Sequence, residues 1–456
     1  MVANNPPQNS NRRFLPTSKL FQWIILLAIL VFGGWMRITV VQQTQVYNPL
    51  GPDALHYFNY AYNLVNFGVY SKDSSALNGI APVSDSYRPP GYPLFLAFFL
   101  ATVPLKYFLQ VLLLGQAFLS TLALLLTFFV ARAFLPVILA LLVTLLTALT
   151  PHLITLNHYV LSESLYTFVL LAFLVSTRGG DSRWPAWFAI GIVFCAGGMV
   201  RPALFYFVIP MAGLIWLRRE LPGRKKAALA FVVGFLLLLT PWSLRNKMVL
   251  GSWSDDKYLA SSMADGIYPD FVYNGNPKTF GFAHRYDPRR KEFSSSMALV
   301  LKEIKDRFSK EPMLHFKWFV LGKPSWFWSW TIVQGAGDIF VYPVVSSPYF
   351  EQKIFKTSHR LLFSLHRLAV FLAILGSILA WLPRKYQPIS GDRPLFMARL
   401  LSLLLCYMTV VHMAVLPCPR YNIPLRPELY CMALFGLWGI YRQLVDRLTP
   451  KPKPVG

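Results

Sequence analysis

The sequence predicts an all-α polytopic membrane protein of about ten transmembrane helices, and three observations predict it. Of its 456 residues, 55% are hydrophobic and only 14% charged, with a mean hydropathy of +0.44. Soluble domains carry roughly 25% charged residues, so too few polar side chains are present to cover a water-facing surface. The apolar residues also gather in long runs, several of them of span length. Finally, the net charge of +24, from 44 Lys and Arg against 20 Asp and Glu, collects between those runs. That is the pattern of loops held at an anionic membrane surface, and it gives no reason to expect a nucleic-acid partner. Four cysteines without a CxxC exclude a zinc ribbon or a disulfide-stapled secreted fold.

The first apolar run, Phe21 to Val41, follows Arg12, Arg13 and Lys19. A cleaved leader also begins with a basic region, but its apolar core is shorter and ends at small residues; this run ends at Trp35, Met36 and Arg37, as a retained anchor does. Further runs lie near 107–131, 134–150, 162–177, 184–200, 202–217, 226–243, 361–382, 396–416 and 422–441. Residues 92–103 are apolar too, but counting them as a span would place the Arg218–Lys226 cluster outside. The positive-inside rule therefore makes them a surface or membrane-dipping helix. The expected organisation is a cytoplasmic tail (1–20), a transmembrane module (21–243) with a first outer loop (42–91), a large outer region (244–358), C-terminal transmembrane helices (359–445) and a second cytoplasmic tail (446–456). Within the large outer region, Met297, Val300, Leu301, Ile304 and Phe308 recur at helical spacing and predict an amphipathic helix near Ser294–Lys310.

The outer segments hold the residues suited to chemistry. Pro52 and Asp53 suit a helix start and Gly68 its end, which puts Asp53 in a first turn where the helix dipole favours a carboxylate. A carboxylate there is placed to take a proton from a hydroxyl, although an N-terminal Asp is also an ordinary cap. Tyr87-Arg88-Pro89-Pro90-Gly91-Tyr92-Pro93 follows, then Ser162-Glu163 at the start of a run. Glu163 suits either a helix start or contact with a substrate. Arg88, Arg201, Arg245 and Arg420 lie near the outer interface, where a guanidinium either snorkels toward head groups or forms bidentate contacts to phosphate. His152 and His158 lack metal-site spacing. Trp326, Trp328 and Trp330 would share a face if extended, as in an interfacial aromatic belt or a sugar platform. Lys323 could reach a lipid phosphate, Asp255, Asp256 and Asp265 could touch an acceptor, and charge pairing with Arg426 is the simplest account of Glu428.

Taken in order, Asp53, Tyr57, Ala61, Asn63 and Gly68, then RPPGYPLFLA from Arg88, resemble the first loop of integral-membrane glycosyltransferases of the GT-C class. The likeness is to the protein-mannosyltransferase and aminoarabinose-transferase group, family 39. Ser162-Glu163, Arg201-Pro202, Pro241-Trp242 with Arg245-Asn246 and Gly251, and Arg420-Tyr421 with Pro424 and Pro427 extend it along nearly the whole chain. The resemblance implies a GT-C-like bundle with juxtamembrane helices on the outer face of a bacterial inner membrane. It further implies transfer of a sugar from a polyprenyl-phosphate donor to a glycan, lipid or protein acceptor. Asp53 would be the catalytic residue, and Tyr57, Arg88, Glu163, Arg201, Arg245, Arg420 and Tyr421 would bind substrate. Many members carry Asp-Glu where this chain has Asp53-Ala54, so Asp53 acts alone or with Glu163. No cofactor follows from the residues, and a divalent cation stays open.

Two absences agree with a lipid donor: no Gly-rich phosphate loop opens a helix, and no cytoplasmic segment is large enough for a nucleotide-sugar domain. Three other readings compete. A transporter or lipid flippase would line a path with charges at mid-membrane depth; an O-antigen ligase or polymerase would also carry a large outer loop; and Ala54 leaves room for a non-catalytic partner in glycan assembly.

Overall fold

The structure, a computed structural model, describes residues 19–75, 79–179, 183–254 and 257–448. Most of both expected tails, and Asp255 and Asp256, lie outside the described residues. The N-terminal part contains α1 (Lys19–Gln43), α2 (Pro52–Phe67), α3 (Gly91–Thr102), α4 (Leu105–Arg132), α5 (Val137–Leu149), α6 (Pro151–Thr155), α7 (Glu163–Ser176), α8 (Trp184–Val200), α9 (Val208–Trp216) and α10 (Arg224–Leu250). The outer segment holds α11 (Lys257–Asp265), α12 (Arg290–Phe293), α13 (Met297–Lys310), α14 (Pro312–Lys317), α15 (Lys323–Phe327) and α16 (Pro348–Glu351). The bundle closes with α17 (Lys353–Leu379), α18 (Asp392–Ala414) and α19 (Arg426–Leu448). A short antiparallel pair, β1 (Gln45–Val46) with β2 (Val344–Ser346), ties the first outer loop to the end of the large outer segment.

The protein is thus an all-α polytopic membrane protein. Among the described residues five helices, α1, α4, α10, α17 and α18, are each long and apolar enough to cross a bilayer, and α5 with Pro151–His158 passes the same test as a pair bent by 55°, the form of a broken span or a re-entrant loop. Each of the other runs read as a span also lies on a helix: α7, α8, the Pro202–Trp216 stretch and α19. The 92–103 run is α3, whose 12 residues rise about 18 Å against a core of about 30 Å. Interhelical packing relies on small residues, as expected where lipid removes the hydrophobic drive between helices. A Cβ on Gly191 of α8 would lie 2.1 Å from the Phe231 carbonyl oxygen of α10, and one on Gly234 of α10 would lie 2.0 Å from that of Phe188.

The amphipathic helix of the outer segment is present as α13, capped by Ser296, whose hydroxyl accepts from the Leu299 amide. It packs Val300 and Ile304 into a small separate core with Ala260, Ala264, Tyr268 and Phe293. The tryptophan run does not form an extended face. Lys323–Phe327 is helical and the chain then turns, so the three indoles diverge: Trp326 donates to Asp270, Trp328 to Thr409 and Trp330 to Asp338. Lys323 is fully buried and donates to the Val415 carbonyl at 3.1 Å. Glu428 is not paired with Arg426 either. Residues two apart on a helix point to opposite sides; Arg426 meets His366 and the Ser329 carbonyl, while both oxygens of the buried Glu428 lack a hydrogen-bond partner.

Candidate active site

α2 begins where Pro52 supplies a fixed φ and ends at Gly68, whose left-handed φ of 67° lets its amide turn back onto the last carbonyls. This sets Asp53 in the first turn. One carboxylate oxygen of Asp53, Oδ1, accepts from Arg88 Nη2 at 2.6 Å, and Oδ2 accepts from Arg420 Nη1 at 2.9 Å. Arg420 turns its Nε to Glu163 Oε1 at 2.5 Å, and Arg201 Nη2 reaches the same oxygen at 2.6 Å. Four distant parts of the chain therefore build one row of alternating charge, Arg88–Asp53–Arg420–Glu163–Arg201.

Each member is positioned by its own local structure. The turn before Arg88 is organised by Asp85, which accepts from the Lys72 and Tyr87 amides and from the Tyr60 hydroxyl. The Tyr70 hydroxyl donates to the Arg88 carbonyl. Gly91 then lets the start of α3 lie against the end of α8; a Cβ there would sit 2.7 Å from the Met199 carbonyl oxygen. This contact brings the first outer loop next to Arg201, which terminates α8 in an extended conformation before Pro202. Arg420 lies in the 3-10 turn Pro419–Leu425 that leads into α19. Glu163 opens α7 and is fully buried; the Ser162 hydroxyl makes no capping bond to that helix and instead receives long contacts from Arg201 Nε and the Tyr57 hydroxyl, at 3.4 and 3.5 Å.

Of the residues singled out from the sequence, Asp53, Tyr57, Arg88, Glu163, Arg201, Arg420 and Tyr421 are brought together. Tyr57 lies 5.2 Å beneath the Arg88 guanidinium and edge-on to Tyr92, and Tyr421 lies 5.5 Å from that of Arg201. Arg245 stands apart from the row. It donates to the carbonyls of Asp85 and Tyr70 at 2.8 and 3.2 Å and stacks near Tyr70 and Trp242, clamping the first outer loop onto the end of α10. His152 is buried against the Trp330 and Asp338 carbonyls, away from the row.

The row opens into a cavity of about 510 Å³ lined by Asp53, Arg88, Arg420 and Tyr421 and, from the outer segment, by Tyr258, Asp265, His284 and Tyr342. Asp265 of the sequence reading is thus at the cavity, ion-paired to Arg290 at 2.9 Å. Sequence reasoning missed Tyr258, Tyr342 and Asp85, because none sits in a periodic run. The one available signal was Asp85 two residues before Tyr87-Arg88, a spacing that suits an Asx turn.

Three guanidiniums face two carboxylates, so the row carries one uncompensated positive charge. Burial alone would push the Asp53 carboxyl up, but Arg420 and Arg88 beside it outweigh that and hold it well below the usual carboxylate range. Asp53 is therefore an anion at any physiological pH, with its side chain 34% exposed toward the cavity. His56, one turn further along α2, is pushed down by burial and by Arg88 and Lys72, and is neutral near pH 7. Both Asp53 oxygens are engaged by arginine, and among the described residues no group of three or more His, Cys, Asp or Glu is placed to hold a metal ion.

No protein-family model matches the chain, and no curated protein matches it. In fold the chain is similar to solved membrane glycosyltransferases. One is the S. cerevisiae protein O-mannosyltransferase Pmt1–Pmt2 complex bound to the sugar donor, at 17% identity and a TM-score of 0.38, covering 59% of this chain and 38% of that one. Another is the archaeal oligosaccharyltransferase AglB from Archaeoglobus fulgidus in complex with an inhibitory peptide and a dolichol-phosphate, at 14% identity and a TM-score of 0.48, covering 95% and 53%. The Archaeoglobus fulgidus oligosaccharyltransferase tethered with an acceptor peptide stands at 14% identity and a TM-score of 0.49, covering 96% and 52%. The chain thus spans from about two fifths to about half the length of these proteins.

Proposed function

We propose that the protein is an integral-membrane glycosyltransferase that moves a sugar from a polyprenyl-phosphate donor to an acceptor bound in the cavity, on the outer face of the membrane. The observation that carries this reading is the charged row itself, an arginine-rich cluster at the mouth of a cavity at one end of an apolar bundle. Arginines held in a poorly solvated site bind phosphate through paired N–H donors and stabilise negative charge as it develops on a departing phosphate oxygen.

In the free protein Asp53 is a poor base, because two guanidiniums favour its ionised form. A donor phosphate competes for Arg88 and Arg420 and draws them from the carboxylate, whose proton affinity then rises. Asp53 is next freed to take the proton of an acceptor hydroxyl. That oxygen forms a bond to the anomeric carbon on one face while the bond to the phosphate oxygen breaks on the other, which inverts the anomeric configuration. Glu163 holds Arg420 and Arg201 in place during the exchange, and Tyr258 and Tyr342 offer faces for a sugar ring.

The test is transfer by purified protein in nanodiscs, with a panel of radiolabelled polyprenyl-phosphate sugars and membrane extract as acceptor, comparing wild type with Asp53→Asn. Loss of turnover with donor binding retained supports the reading. If wild type binds no polyprenyl phosphate, or transfer is indifferent to Asp53, the reading fails. A transporter or flippase has one observation in its favour, the buried and unpartnered Glu428. It lies, however, in the first turn of α19, eight residues beyond Arg420 and not halfway along the bundle.

A further inference from the structure

α17 carries a second cationic feature that the transfer reaction does not use. At 100° per residue, Lys353, Lys356, Arg360 and Arg367 fall within an arc of about 60° on one side of the helix. Lys353, Arg360 and Arg367 are exposed and Lys356 is half-buried. Among the described residues, no side chain of the four makes an ion pair or hydrogen bond. On the adjoining arc a second cavity, of about 420 Å³ and almost wholly apolar, is lined by Leu149 of α5 and by Lys353, Ile354, Thr357, Ser358 and Leu361 of α17.

The length of α17 says where this stripe stands. Its 27 residues rise about 40 Å, some 10 Å more than a hydrocarbon core of about 30 Å. Set at this end of the helix, the excess equals the first seven residues, which puts Lys353 and Lys356 in the head-group layer and Arg360 at its inner edge, with Arg367 about 10 Å deeper. This is the same end of the bundle as the charged row, because His359 of α17 binds Asp338 at 2.8 Å and the chain runs from there to the cavity residue Tyr342. It is also the end that the charge distribution marks as the outer one, where an excess of unpaired cations runs against the usual bias and calls for a counter-charge from outside the chain.

We propose that this face binds an anionic glycerophospholipid of the surrounding outer leaflet, with its phosphate on Lys353, Lys356 and Arg360 and an acyl chain in the apolar groove between α5 and α17. The cations of a simple interfacial belt would be scattered round the helix. Here they share one arc beside a groove that takes hydrocarbon, and Lys353 belongs to both. Bound there, the lipid screens four like charges from one another and fills the seam between α5 and α17. The site does not depend on the transfer reading, since none of its residues belongs to the charged row.

Native mass spectrometry of the full-length protein titrated with phosphatidylglycerol or phosphatidylcholine tests this. Wild type is expected to retain one phosphatidylglycerol at least ten-fold more tightly than phosphatidylcholine. The combined variant Lys353→Gln, Lys356→Gln and Arg360→Gln is expected to lose that preference. Thr357→Trp, which fills the groove and leaves every charge in place, is expected to weaken phosphatidylglycerol to a similar degree and keeps the test open should the triple variant fold poorly. Equal phosphatidylglycerol retention by wild type and both variants overturns the proposal. So does a triple variant that loses bound polyprenyl phosphate while holding phosphatidylglycerol as wild type does, since the face would then serve the donor.

Discussion

Asp53 and Arg420 are 367 positions apart in sequence and meet at 2.9 Å. The same guanidinium reaches Glu163, so one side chain joins the first outer loop, the start of α7 and the turn before α19. Arg420 is fixed on two carboxylates at once, and that double engagement is what a substrate phosphate has to disturb.

Asp53→Asn keeps the shape of the first turn and removes the charge. Transfer is expected to fall by about 10²–10⁴-fold, while binding of a polyprenyl phosphate is kept or strengthened because Arg88 and Arg420 lose a competitor. Turnover and donor binding measured on the same nanodisc preparation separate the two effects.

Arg420→Lys retains the charge but not the planar fork, and a lysine ammonium cannot hold Asp53 and Glu163 together with the same geometry. Each acid keeps a second arginine, Arg88 for Asp53 and Arg201 for Glu163, so what is lost is the bridge and its charged hydrogen bonds, about 1.5–3 kcal/mol. A lowered melting temperature with donor affinity reduced at least ten-fold is the expected result, and wild-type affinity in Arg420→Lys would show that the bridge is not needed.

The pH dependence has a definite sign. The folded pKa of Asp53 is depressed below its unfolded value of about 3.9, so its contribution to stability is fully present above that value and is lost only as pH falls through the lower, folded pKa. The difference in thermal stability between wild type and Asp53→Asn is therefore expected to stay level from pH 8 to pH 5 and to shrink only below about pH 4. A difference that fades between pH 7 and pH 5 would mean the arginines do not hold the carboxylate as described.

Arg245→Ala removes the clamp on the Asp85 and Tyr70 carbonyls without touching the charged row. Leaving those groups short of a donor costs about 1–3 kcal/mol. Hydrogen exchange should rise across the first outer loop, and KM should increase more than kcat falls. A change confined to kcat would place Arg245 closer to the reaction than its hydrogen bonds do.

Much of the architecture was legible because it is written in local patterns. Pro52 and Gly68 mark α2 at its true ends, and the spacing of Met297, Val300 and Ile304 marks α13. The order of the motifs picked out seven residues that converge. What the sequence hid was pairing at a distance. No local signal says that Arg420 spans two acids, or that Arg245 spends its donors on backbone. Nor does any say that Tyr258 of α11 and Tyr342 line the same cavity as Asp53. Glu428 shows the opposite failure: Arg426 is its sequence neighbour, but helix geometry turns the two apart.

The short helices beside the charged row bear on how the site answers to its membrane. α7 has 14 residues and α8 has 17, lengths of about 21 and 25 Å against a hydrocarbon thickness near 30 Å. Neither meets lipid along most of its length: every side chain of α7, and every one of α8 from Ile190 on, is buried or half-buried, so their neighbours in the bundle, and not the bilayer, accommodate the shortness. The position of Glu163 and Arg201, which stand at the ends of these two helices, is thereby set by protein packing and insulated from acyl-chain length in the host membrane.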